Sequence, residues 1–353
     1  MPPNHTLRLS AASRPLSQSI APSTHPTPKT RPYTTSSTPP QYPPSNRLKG
    51  RSCMITGGTS GIGYAIAARF LQEGIDQVIL VGRSHTRLVS AATTLSSGTA
   101  AEASALPQTS SSPETAAAQH TLLPFSQTIS LLVGDVAEAG SWSRELEQVM
   151  QTTNPTHLIN AAGLSISSVL TKSSPEDIAR ILDTNLQGAI LTTRAFLRAA
   201  MRNHVRSKRA PAAPAPGSKG VGDGENPGAN QPPPPPSKCI INIASLLAHK
   251  GGTGAVTYAA SKAGILGLTR SVAVEAGAAM RDVRVRSNAI VPGYVETPMI
   301  EDFSEGETAR LKQSIPLGRF GLPHEVADAA VFLAQNEYAN NCVLNLDGGL
   351  SAV

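Results

Sequence analysis

The residues best equipped for chemistry crowd into one stretch, 242–267, which reads NIASLLAHKGGTGAVTYAASKAGILG. Tyr258 and Lys262 stand four residues apart in a run of small, helix-compatible residues, so one helical turn places both side chains on one face. A free phenol, with a pKa of ~10, exchanges protons poorly at neutral pH. An ammonium one turn away favours the phenolate and is expected to pull that pKa down, readying Tyr258 to give a proton to a ketone oxygen. Ser245 lies thirteen residues before the tyrosine and directly after the β-branched run CIINIA. A strand ends there, which puts the Ser245 hydroxyl at the carboxyl edge of a sheet, where it and the phenol can both hydrogen-bond one carbonyl oxygen. An isolated Tyr-x-x-x-Lys is equally well a surface i,i+4 pair, so the surrounding elements must decide.

Those elements follow one another in an ordered series. Residues 52–56 form a short apolar strand, then come TGGTSGIG (56–63) and the helical run YAIAARFLQEG. Strand, glycine-rich turn and helix make the first unit of a dinucleotide-binding fold, in which the turn lets the backbone approach a pyrophosphate at a helix N-terminus. QVILVGRS (77–84) is the second strand with its terminal loop. An NAD-selective site carries Asp or Glu at this strand end, whereas here Gly82 and Arg83 stand there, and a guanidinium suits a 2′-phosphate. NADPH is therefore expected over NADH. Further on, a helix over 86–94 precedes a strand over 129–136 that ends on Asp135 and Val136, and HLINAAG (157–163) is a fourth strand. Ser-Ser-Pro-Glu opens a helix predicted over 175–201, and VRSNAIVPGYVETPM (285–299) supplies a sixth strand with Pro292, Gly293 and Thr297. IPLGRFGLPHEVADAAVFLA gives a last helix and NCVLNLDGGL a seventh strand. The expected architecture is α/β: a single Rossmann-type, doubly wound parallel sheet of about seven strands with helices on both faces.

Taken together these motifs resemble the short-chain dehydrogenase/reductase family over about residues 48–353. The spacing of Gly57, Gly61 and Gly63 follows the family's TGxxxGIG turn, and Ser245, Tyr258 and Lys262 match its catalytic set. Asn185 in DTNLQG resembles the fourth member, an asparagine that disturbs its helix and serves a proton relay to the lysine. The resemblance implies cofactor contacts at Gly57, Thr59, Ser60, Gly61, Ile62, Gly63, Arg83, Asp135, Val136, Asn160, Gly163, Tyr258, Lys262, Pro292, Gly293, Val295 and Thr297, with no metal. Ala161 departs from the family's Asn-Asn-Ala-Gly. Ser60 stands where many NADPH-dependent relatives carry a second basic residue. SKAGILGLTR, IPLGRFG and VLNLDGGL carry a finer resemblance to the 3-oxoacyl-[acyl-carrier-protein] reductases and the related mitochondrial carbonyl reductase. That implies hydride reduction of a β-keto carbon, a homotetramer, a mobile lid up to about residue 313, and an acidic acyl-carrier protein as partner. Arg206, Lys208, Arg209, Arg281, Arg284 and Arg286 are the expected basic rim for that partner.

Composition narrows the remaining choices. Of 353 residues, roughly 110 fall in three low-complexity regions, at 1–47, near 94–125 and near 205–237, leaving a single-domain length. The net charge of +6 resides mostly in residues 1–47, where Arg8, Arg14, Lys29, Arg31 and Arg47 meet no acid; the remainder holds 25 basic against 24 acidic residues. A near-neutral body with one Trp offers neither the basic face nor the stacking platform of a nucleic-acid binder. Cys53, Cys239 and Cys342 lie within or beside apolar runs, lack metal-ligand spacing and read as packing residues in a reducing compartment. No apolar run reaches membrane-spanning length. The acid-free Ser/Thr/Pro/Arg-rich start, with Arg31-Pro-Tyr33, is expected to direct the chain to the mitochondrial matrix, the alternative being a tail on a cytoplasmic protein. Other activities open to the same scaffold are dehydrogenation of steroids, quinones or polyols, or a non-catalytic subunit.

Overall fold

The computed structural model describes residues 45–97, 121–209 and 236–353. The expected leader up to residue 44 and most of both internal low-complexity segments lie outside the described residues. The described edges of these segments belong to a helix that ends at Ser97, a strand at Leu122–Pro124 and a helix that ends at Arg209.

Eight strands form one sheet: β1 (Ser52–Thr56), β2 (Gln77–Gly82), β3 (Leu122–Pro124), β4 (Ile129–Val133), β5 (His157–Asn160), β6 (Lys238–Ile243), β7 (Val285–Pro292) and β8 (Val343–Leu346). Their spatial order is β3-β4-β2-β1-β5-β6-β7-β8, and every neighbouring pair is parallel except β3 with β4. β3 is the strand absent from the sequence reading, because Leu122-Leu123-Pro124 borders a polar segment and is too short to show alternation. The helices are α1 (Gly61–Gln72), α2 (His85–Ser97), α3 (Ser141–Thr153), α4 (Pro175–Leu182), α5 (Gly188–Arg209), α6 (Val256–Ala279), α7 (Glu305–Ser314) and α8 (Pro323–Gln335). The helix expected over 175–201 is thus two helices joined by one π-helical turn, Asp183–Gln187, and α5 extends eight residues further than expected.

Burial on both faces explains the unbroken aliphatic strands. Along β1, Cys53 and Ile55 join the core beneath α1, α2 and α8, whereas Met54 between them joins the core beneath α3, α5 and α6. The same division separates Cys239 and Ile241 from Ile240 on β6. Chain order reverses between β1 and β5, and the carboxyl ends of strands at such a reversal are where α/β sheets bind ligands.

Candidate active site

Tyr258 and Lys262 lie in the first two turns of α6, with the ammonium 5.6 Å from the phenol ring centroid. Ser245 follows the end of β6 and N-caps a one-turn 3-10 helix, its Oγ accepting from Leu247 N at 3.2 Å. The Ser245 hydroxyl lies beside the Tyr258 phenol and acts to lower its pKa. Lys262 is 5% exposed and donates to Ile243 O at 2.9 Å, tying the catalytic helix to the strand end that carries Ser245. Burial lowers its pKa to about 8.

The expected lowering of the tyrosine pKa is corrected here. Burial raises it, and the neighbouring Ser245 hydroxyl offsets only part of the shift. The ammonium is aimed at Ile243 O. Tyr258 is therefore a neutral phenol at physiological pH, the protonation state a proton donor needs.

Asn185 sits in the π-helical turn, 1% exposed. Its Oδ1 accepts from Leu164 N at 2.8 Å, and its Nδ2 donates to Leu164 O at 2.9 Å and to Ser261 Oγ at 3.1 Å. Ser261 in turn donates to Tyr258 O at 2.6 Å. The side-chain amide is thus committed to fixing the post-β5 loop against α6. A Cβ added to Gly163 would stand 3.4 Å from both Asn185 Oδ1 and Lys262 Nζ, which brings these three residues to one spot. Ser261, which sequence reasoning passed over, is the link; its position next to Lys262 on a small-residue helix gave no chemical signal.

The remaining candidates line the same edge. Gly57 adopts φ +70°, and a Cβ there would approach Ala162 Cα to 2.8 Å, so the turn after β1 can press against the loop after β5 only as glycine. Ser60 N-caps α1 without a side-chain capping bond, and the first turn holds no acidic residue, leaving the N–H groups and positive dipole end for an anion. Thr297 Cγ2 lies 3.3 Å from the point a Gly61 Cβ would occupy, so the segment after β7 closes on the turn from the far side. Gly293 N donates to Leu346 O at 2.9 Å, and Val295, 5% exposed, bridges to Gly321; both hold this segment in place. Asp135 accepts from Ala137 N at 3.0 Å and pairs at 3.8 Å with Arg83, whose side chain is 67% exposed. Val136 packs where Gly188 lets α5 approach. This cradle fits the pyrophosphate and ribose of a dinucleotide. Leu246, Leu311, Ile315, Phe320 and Leu350 form one apolar cluster with Tyr294, Ile300 and Phe303, so α7 shares a core with the residue next to Ser245.

Asn160 supports the sheet, as the resemblance implies, and the expected basic rim falls elsewhere. Asn160 keeps its side chain inside: Nδ2 donates to Thr193 Oγ1 at 3.1 Å and to Asn242 Oδ1 at 2.8 Å, and Oδ1 accepts from Thr192 at 2.6 Å. It braces β5, β6 and α5. The basic rim lies at the wrong edge, because Arg209 ends α5 and Arg284 O accepts from Lys238 N at the start of β6. That is the amino edge of the sheet, one strand length or roughly 20 Å from Ser245. Arg286 is no rim residue at all. It is 4% exposed and donates to Ser237 Oγ and to Leu333 O, Ala334 O and Ala339 O, where α8 ends. Lys208 is paired with Asp282 at 2.7 Å.

Among known proteins, residues 52–205 match a family model described as KR domain, and residues 231–351 match one described as Enoyl-(Acyl carrier protein) reductase. The "3-oxoacyl-[acyl-carrier-protein] reductase FabG" of Thermotoga maritima is 30% identical over 307 residues, covering 86% of this chain and 99% of that protein. A 3-oxoacyl-[acyl-carrier-protein] reductase of Bos taurus is 30% identical over 299 residues, or 84% of this chain and 97% of the relative. Among solved structures, a putative NAD(P)-dependent gluconate 5-dehydrogenase of Beutenbergia cavernae with bound NADP superposes with a TM-score of 0.66 at 26% identity, covering 88% of this chain and 100% of that one.

Proposed function

This chain belongs to the short-chain dehydrogenase/reductase family of oxidoreductases, and from that premise we propose that it uses NADPH to reduce 3-oxoacyl thioesters to 3-hydroxyacyl thioesters, with an acyl-carrier protein bearing the acyl group, in mitochondrial fatty acid synthesis. The observation that carries this reading is a buried phenol beside Ser245 and one helical turn from Lys262, which is tied to the end of β6 through Ile243 O, at the sheet edge that also holds the dinucleotide cradle. NADPH, when bound, supplies the hydride that the β-keto carbon receives. As the carbonyl oxygen gains charge, Tyr258 donates its phenolic proton to it, and the Ser245 hydroxyl orients and stabilises the same oxygen. Lys262, with its pKa near 8, is cationic at neutral pH and favours the phenolate left behind. Asn185 and Ser261 hold the loop and the helix so that these groups stay in register.

The names of the full-length relatives support the thioester substrate. A second reading, oxidation of a sugar acid such as gluconate, is favoured by the name of the superposed dehydrogenase. Assays of acetoacetyl-carrier protein and of the acetoacetyl thioester of N-acetylcysteamine, each with NADPH and NADH, separate the two. The expected outcome is NADPH-dependent reduction of both thioesters, with Tyr258→Phe lowering kcat by about 10²- to 10⁴-fold. Failure to reduce either thioester alongside turnover of gluconate with NADP would move the protein to the second reading.

A further inference from the structure

Arg87 takes no part in the proton-donating group built on Ser245, Tyr258 and Lys262. It lies in the first turn of α2, in a helix start without acidic residues, and its backbone N donates to Ser84 Oγ at 3.4 Å. Its guanidinium turns back across the sheet edge, with Nη2 3.4 Å from Ser60 Oγ in the glycine-rich turn. Two local facts make this reach productive. Ser60 spends no side-chain bond on capping α1, so its hydroxyl is left to accept. β2 ends on Gly82, where an added Cβ would come within 3.1 Å of Thr59 Cγ2, so strand end and turn touch, with no carboxylate between them.

The charges around the spot agree. Arg83, four residues earlier, lies 3.8 Å from Asp135, which offsets part of its field. Among the described residues no carboxylate pairs with Arg87. The turn itself, TGGTSGIG, holds no basic residue.

We propose that Arg87, reaching from α2 onto Ser60, is the second cationic group for the 2′-phosphate of NADPH and so a determinant of cofactor choice. Arg83 and Arg87 then approach the phosphate from the strand end and from the helix, with the Ser60 hydroxyl beside them. A guanidinium can make paired, charge-assisted bonds to phosphate oxygens, and the ribose hydroxyl of NADH offers no charge for it to meet. The proposal rests on the NADPH reading above.

Binding of NADPH, NADH and 2′,5′-ADP, followed by fluorescence and calorimetry without any substrate, tests it in the wild type and in Arg87→Ala, Arg87→Lys and Arg83→Ala. Wild type is expected to prefer NADPH. Arg87→Ala should weaken NADPH and 2′,5′-ADP by about 10- to 100-fold, the range for losing a bond to a charged group, and leave NADH within about twofold. Arg87→Lys should fall between, keeping the charge but losing the fork. Thermal melts of each variant separate loss of contact from loss of fold. If wild type binds NADH as tightly as NADPH, the cofactor reading fails and takes this inference with it. If wild type prefers NADPH and Arg87→Ala weakens both dinucleotides equally, or neither, Arg87 is structural and only this inference is overturned.

Discussion

A buried ammonium is a standing cost to the folded state, and Lys262 carries one. Its pKa of about 8 lies below the ordinary 10.5 because burial disfavours the charged form. The sign of the linkage follows: below pH 8 both folded and unfolded chains hold the proton and the cost is full. Between about 8 and 10.5 the unfolded chain binds more protons than the folded one, so stability gained from this group rises with pH across that window. The shift corresponds to about 3 kcal/mol, reduced in a substitution by the carbonyl of Ile243 that loses its donor. Lys262→Met is therefore expected to be more stable than wild type by about 1–2 kcal/mol at pH 7, with the advantage fading by about pH 10.5. It should also lose nearly all reductase activity. Urea unfolding at the two pH values, alongside a rate assay, checks both halves; a variant less stable than wild type at pH 7 would contradict the argument.

At the scale of elements, Arg286 has the larger consequence. Its guanidinium, on β7, donates to Ser237 Oγ and to three carbonyls where α8 ends, at distances of 2.7–3.0 Å. It locks the last helix onto the sheet. Arg286→Met removes the charged donor from those carbonyls, leaving Leu333 O and Ala334 O only the longer contacts from Cys239 Sγ and His157 Nε2, and the expected loss is about 3–5 kcal/mol, visible as a drop in the urea midpoint. Had Arg286 belonged to a carrier-docking rim, the variant would keep its stability and lose only carrier-protein turnover. An unchanged urea midpoint for Arg286→Met would contradict this bracing role.

For the whole molecule, delivery is the property that belongs to no single element. Residues 1–47 hold five basic residues and no acid, while the rest of the chain is close to neutral. We propose that this segment is read as a matrix-targeting signal. Fused ahead of a fluorescent reporter, it should send the reporter to mitochondria. A diffuse cytosolic signal would remove the mitochondrial part of the proposed function and leave the chemistry at Tyr258 untouched.

Order and spacing of local motifs were enough to determine the doubly wound sheet, the glycine-rich turn and the grouping of Ser245, Tyr258 and Lys262, because a strand end, a turn and one helical turn are set by residues close in the chain. What needed the tertiary structure were properties fixed by neighbours distant in sequence. The direction of the Tyr258 pKa depends on how much protein surrounds it, which no i,i+4 spacing reports. Asn160 and Asn185 look alike as polar residues near motifs. Only packing shows Asn160 bonded to partners 32, 33 and 82 residues away, and Asn185 paired with Leu164 across 21 residues. The basic rim dissolved for the same reason: arginines that cluster at 281–286 lead into β7 at the sheet's amino edge, and one of them turns inward. Arg87 was invisible because its partner Ser60 lies 27 residues back, on a different element, and nothing in a one-dimensional pattern states that the start of α2 folds back over the turn before α1.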